Sequence, residues 1–103
     1  MAFTNVEMAI LSQMAYFGSD GCPRQPYEGE SLHYTLMKNR NFLRKELGNE
    51  YYTALDNLIE KTDGEDYEIV KTSDDKYGTG FAAIAIKSPD NNVTVATRGT
   101  EGF

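Results

Sequence analysis

The spacing of apolar residues changes period once along this chain, at Asp63-Gly64, and that change restricts the folds open to it. Before that point the pattern is helical. Thr4-Asn-Val-Glu7 has the form of a capping box, in which Thr4 and Glu7 each satisfy a free backbone donor. Val6, Ile10, Met14 and Phe17 follow at helical spacing with Ala9 beside them, and Gly18 is the expected stop. Leu32, Leu36, Leu43 and Leu47 predict a second helix from about Glu30 to Leu47, with Ser31 as its starting residue. Gly48 should close it, and Arg44 and Lys45 suit the negative end of its dipole. Asn49 is expected to cap a third helix that turns Tyr51, Leu55, Leu58 and Ile59 inward and ends before Asp63.

Beyond Gly64 the pattern is that of strands. Tyr67–Thr72 is the first, and Ser73-Asp-Asp75 reads as a solvated loop after it. Phe81–Ile86 is a near-continuous apolar run, which predicts a strand covered on both faces. Ser88-Pro-Asp-Asn-Asn92 is turn chemistry, because Pro presets its backbone and Asp and Asn tolerate unusual angles. Val93–Thr97 returns as the next strand. The expected class is therefore α+β: three helices, then three strands, with N-terminal helices packed on a small antiparallel sheet that ends in a β-hairpin. One domain or fragment spans residues 1–103, helical over 1–62 and β over 66–103.

Composition narrows the function. Seven Tyr and five Phe provide enough aromatic surface to offset chain entropy, so a packed core is expected rather than disorder. A formal net charge of −6 argues against nucleic acid and against anionic membranes, which are bound through basic surface. The single Cys22 cannot form an internal disulfide and lies in a loop rich in Gly and Pro, with no local base to activate it. No basic, apolar leader opens the sequence, and no apolar stretch approaches the roughly 18 residues of a bilayer span. A soluble protein, cytoplasmic by default, is expected.

Few groups promise chemistry. Thr62-Asp-Gly-Glu-Asp66 and Ser73-Asp-Asp75 gather carboxylates without the alternating ladder of a calcium loop, so no metal is implied. Tyr77-Gly-Thr-Gly-Phe81 lacks the third glycine of a dinucleotide loop and precedes a strand instead of following one, so no cofactor is implied. Asn92-Val-Thr94 is a glycosylation acceptor by form only. His33, the one histidine, has no serine or cysteine in a nucleophile elbow to serve, and a structural role is expected of it.

The end of the chain carries more. Val93-Thr-Val-Ala-Thr-Arg-Gly-Thr100, preceded by Gly78-Thr-Gly-Phe-Ala-Ala-Ile-Ala-Ile86 and a Pro-Asp-Asn turn, resembles the class-3 (fungal-lipase-like) branch of the α/β-hydrolases. Glu7–Tyr16 is similar to the first helix of that family's bacterial lipase-like members. The resemblance spans the front portion of the family's fold. It implies an origin in a carboxylic-ester hydrolase acting on lipids or other esters, with Thr100 as an oxyanion-hole donor supported by Arg98 and Gly99. Where the family carries Phe before this Arg, Thr97 stands here. The family's nucleophile, acid and histidine all follow this strand, so the resemblance assigns no nucleophile to these 103 residues and predicts a chain inactive by itself. A different reading is a non-catalytic binding or assembly module, a homo-oligomer pairing through the edge strand Val93–Thr97.

Overall fold

The computed structural model describes residues 3–15, 26–75 and 81–98. Four helices precede three strands: α1 (Asn5–Met14), α2 (Leu32–Lys38), α3 (Arg40–Leu47), α4 (Tyr52–Thr62), then β1 (Glu68–Asp75), β2 (Phe81–Lys87) and β3 (Val93–Arg98). The strands form one antiparallel sheet in the order β1-β2-β3, so the class is α+β with a C-terminal hairpin, as the change of period predicts.

Thr4 starts α1 through both halves of a capping box. Its hydroxyl accepts from the Glu7 backbone N–H at 3.1 Å, and its own N–H donates to Glu7 Oε1 at 2.8 Å. The helix then turns Glu7, Ile10, Leu11 and Met14 inward. Val6, expected inside, is instead 44% exposed. The box is the reason: it holds the Glu7 carboxylate against the helix start, where Lys61 of α4 donates to it at 3.1 Å. A carboxylate that accepts from the Thr4 N–H and the Lys61 ammonium can be buried without the cost of an unpaired charge. Phe17 and Gly18 lie outside the described residues.

The single helix expected over residues 30–47 is two. Asn39 separates them, with φ −109° and ψ 11° and a fully buried side chain. Its Nδ2 donates to the Thr35 carbonyl at 2.8 Å, in competition with the backbone for that acceptor, which is how asparagine weakens a helix interior. Ser31 starts α2, its hydroxyl accepting from Tyr34 N–H. Gly48, at φ +91°, ends α3 as expected. Asn49 caps nothing with its side chain; it opens a 3₁₀ turn, Asn49–Tyr51, from which α4 continues.

Leu32, Leu36, Leu43, Leu55 and Leu58 from the helices meet Ile10, Leu11 and Met14 of α1 and Ile69, Ile84 and Ile86 of the sheet in one core. Among the described residues, one sheet face is covered and the other is not. In β2 the alternate residues Ala82, Ile84 and Ile86 are buried, while Ala83 and Ala85 are half-buried. Beside them Val93 and Val95 of β3 are 57% and 55% exposed. The expectation of cover on both faces thus fails among the described residues. The reason is that alanine is small enough to leave an apolar run readable as either a one-sided or a two-sided strand. β1 also runs further than expected, through Asp75, because Ser73, Asp74 and Asp75 each pair with a residue of β2.

The turn between β2 and β3 closes as its residues dictate. Asn91 N–H donates to Ser88 O at 2.9 Å and Ser88 N–H to Asn92 O at 2.8 Å, with Asn91 left-handed at φ +68°. The Asp90 carboxylate accepts from Asn92 N–H at 3.2 Å, an Asx turn that fixes the corner. Among the described residues, no helix is long and apolar enough to cross a membrane.

Candidate functional site

The strand that leads into Arg98-Gly99-Thr100 is held from two sides. β3 pairs along its length with β2, from Lys87 opposite Val93 to Ala82 opposite Arg98. Its inward residue Ala96 is fully buried, and α1 lies against both β2 and β3 on that face. Alternation decides this: Thr94 and Ala96 face the helices, and Val93, Val95 and Thr97 face away. Arg98 occupies the last rung of the β2–β3 ladder. Gly99 and Thr100 lie outside the described residues, as does Cys22.

His33 forms a second centre. It sits on α2 beside the C-terminal turn of α4, and its Nδ1 is 2.9 Å from the Ile59 carbonyl and 3.2 Å from Thr62 Oγ1. A carbonyl can only accept, so Nδ1 carries the proton. The Thr62 hydroxyl in turn donates back to a carbonyl of its own helix, with Leu58 O at 3.0 Å. Nε2 faces Asp63 Oδ1 at 3.6 Å, in a pair whose side chains are 26% and 73% exposed. The open groove around it, of about 380 Å³, is lined by Met37, Arg40, Asp56, Glu60 and Asp63 besides His33.

Arg40, which lines this groove, and the nearby Arg44 both pair with Asp56. Arg40 donates through Nε and Nη2 to Asp56 Oδ1 at 3.2 and 3.1 Å. Arg44 reaches Asp56 Oδ2 at 3.8 Å and lies over the Tyr52 ring at 4.3 Å. Among the described residues, no serine, threonine or cysteine lines the groove to serve Nε2 as a nucleophile. The imidazole ties α2 to the open carbonyls at the end of α4, where a proton donor is favoured by the dipole.

A neighbouring depression of about 360 Å³ is rimmed by Glu60, Asp63, Glu65 and Asp90 with Lys61 and Tyr67. Despite its carboxylates, no group of three or more His, Cys, Asp or Glu among the described residues is placed to hold a metal ion. The Glu7–Lys61 pair, 54 residues apart in sequence, is the buried polar contact that sequence reading missed. The capping box marked Glu7 as the partner of Thr4, but no local pattern marks the distant lysine. Comparison with protein-family models, curated proteins and solved structures finds no match to this chain.

Proposed function

We propose that this chain is the N-terminal part of a lipase- or esterase-like serine hydrolase, and that it contributes the enzyme's oxyanion-hole turn. The observation that carries the reading is the order and pairing of its elements. A capped helix lies beneath an alanine-rich central strand, and a Pro-Asp-Asn corner returns an edge strand whose last rung is Arg98. On this reading the residues after Arg98 would supply donors at the carboxyl end of β3, the end at which α/β folds gather their sites.

The chemistry explains why such a turn is needed. Attack on an ester builds negative charge on the carbonyl oxygen, and donors aimed there in advance stabilise it; one is worth about 3–4 kcal/mol. Gly99 allows close approach of the backbone, Thr100 supplies the donor, and Arg98 braces the turn. Nucleophile, base and acid come from polypeptide outside this sequence, and the substrate is an ester or lipid presented to the assembled enzyme. The uncovered face of β2 and β3 suits this role, since a larger hydrolase would add cover there.

Hydrolysis of a short-chain p-nitrophenyl ester tests the proposal. The 103-residue chain alone should show none above background. Extended by a C-terminal portion carrying a Gly-x-Ser-x-Gly elbow, it should hydrolyse the ester. Thr100→Ala should then lower kcat by about 100-fold or more with KM little changed. Activity of the short chain that disappears in Thr100→Ala would refute the division of labour. An extended, active enzyme indifferent to Thr100→Ala would remove the oxyanion role.

A further inference from the structure

Among the described residues the outer edge of β3 has no strand beside it, and its backbone directions can be read from the hairpin. Ser88 N–H donates to Asn92 O, so these two residues form a hydrogen-bonded closing pair. Bonded and non-bonded pairs alternate along an antiparallel ladder. Ile86–Thr94 and Ile84–Ala96 are then bonded pairs, whereas Lys87–Val93, Ala85–Val95 and Ala83–Thr97 are not. The N–H and C=O groups of Val93, Val95 and Thr97 consequently point away from β2. Among the described residues, no backbone group meets them there.

Those same residues project their side chains from the uncovered face of the sheet. From Val93 to Thr97 the edge holds no charge, no proline and no bulge, so it lacks the devices by which native edges refuse another strand. The opposite edge has them. β1 carries Glu68, Lys71, Asp74 and Asp75 and a bulge between Ile69 and Lys71, and the segment before α2 covers part of it.

We infer that β3 pairs antiparallel with β3 of a second copy of this chain about a two-fold axis through Val95. The pattern is self-complementary. With Val95 opposite Val95 of the second copy, Val93 falls opposite Thr97, and every outward N–H and C=O of these three residues meets its complement. On the uncovered face the same register stacks Val on Val and Val on Thr, β-branched cross-strand pairs that stabilise sheets. The apolar strip of Ala83, Ala85 and Val95 then runs unbroken across the axis, and no like charges are brought together between residues 93 and 97. The contact closes on itself, so it yields a dimer with one continuous sheet rather than a fibre. The inference is independent of the hydrolase reading, because it requires no catalysis and uses none of Arg98, Gly99 or Thr100.

Size-exclusion chromatography with light scattering on the 103-residue chain reads the association directly, and amide exchange reads its location. A dimer is expected, with slowed exchange at Val93, Val95 and Thr97. Val95→Pro removes an N–H that the ladder to β2 does not use, and Val95→Lys sets two like charges on the axis. Each should raise the dissociation constant about tenfold or more while circular dichroism stays unchanged. Thr53→Lys, an exposed change on α4, should leave the dimer intact. If Val95→Pro unfolds the chain, Val95→Lys and the exchange pattern still decide. A monomer at all accessible concentrations overturns the inference. So does an open-ended polymer, or a dimer that survives Val95→Lys with these amides unprotected.

Discussion

The two edges of this three-stranded sheet face the same problem and treat it differently. β1 is closed by its own chain. Gly29 N–H donates to Ile69 O at 2.6 Å, Ile69 N–H to Glu30 O at 2.9 Å, and Leu32 N–H to Tyr67 O at 3.0 Å. Ser31 bridges Glu68 in the same antiparallel sense, and the Glu28 carboxylate accepts from Thr72 N–H at 3.4 Å. The strand begins inside the core as well, since Ile69 and Tyr67 are buried and the Tyr67 ring meets Phe3 at 5.8 Å. β3 has none of this on its outer side among the described residues, and its outward side chains, Val93, Val95 and Thr97, carry no charge. An edge spends hydrogen-bonding capacity either on its own chain or on a neighbour. β1 has spent it, and β3 holds it in reserve for whatever strand completes the sheet. The dimer inferred above draws on that reserve, whereas the proposed hydrolase function concerns the residues after Arg98.

The contrast can be broken most forcefully at Ile69, where β1 joins the core. Ile69→Ala should cost about 2–5 kcal/mol in denaturant unfolding, because a fully buried side chain leaves a cavity among close-packed neighbours. A loss well under 1 kcal/mol would mean that the closed edge contributes little to the fold. A smaller effect is expected at Gly29, whose φ of +89° puts it in the left-handed region although a Cβ there would touch nothing. Gly29→Ala should cost about 1–2 kcal/mol from backbone strain alone and speed amide exchange at Ile69 by loosening the segment that closes β1. The smallest effect belongs to the open edge. In dilute solution, where association contributes nothing, Val95→Ala should change stability by no more than about 0.5 kcal/mol. A larger loss would place Val95 under cover and erase the difference between the edges.

The features legible in the sequence are those closed within a few residues. The capping box at Thr4 and Glu7, the stop at Gly48, the turn Ser88–Asn92 and the switch from helix to strand all follow from neighbours in the chain, since their hydrogen bonds span three or four positions. The misreadings at Val6 and at Asp74-Asp75 involve partners far away, whereas the break at Asn39 is local, made by its bond to the Thr35 carbonyl. Val6 was expected inside because an apolar residue sits at the right spacing, yet Lys61 arrives from α4 to make Glu7 the inward residue. Asp74 and Asp75 read as loop until Ala82 and Phe81 are found opposite them. Of the candidate site, Arg98, Gly99 and Thr100 were singled out by resemblance. The structure adds the rung that Arg98 occupies and the direction in which the strand edge faces.

By itself the sequence determined that helices precede strands, where α1 starts, where α3 stops and where the β2–β3 turn falls, because capping, turn chemistry and hydrophobic period act over one or two turns of chain. Only the tertiary structure decided which face of β2 is covered and which edge of the sheet stays open. Those outcomes depend on where distant segments such as Gly29–Leu32 come to rest, and a strand's own residues cannot encode what will lie beside it.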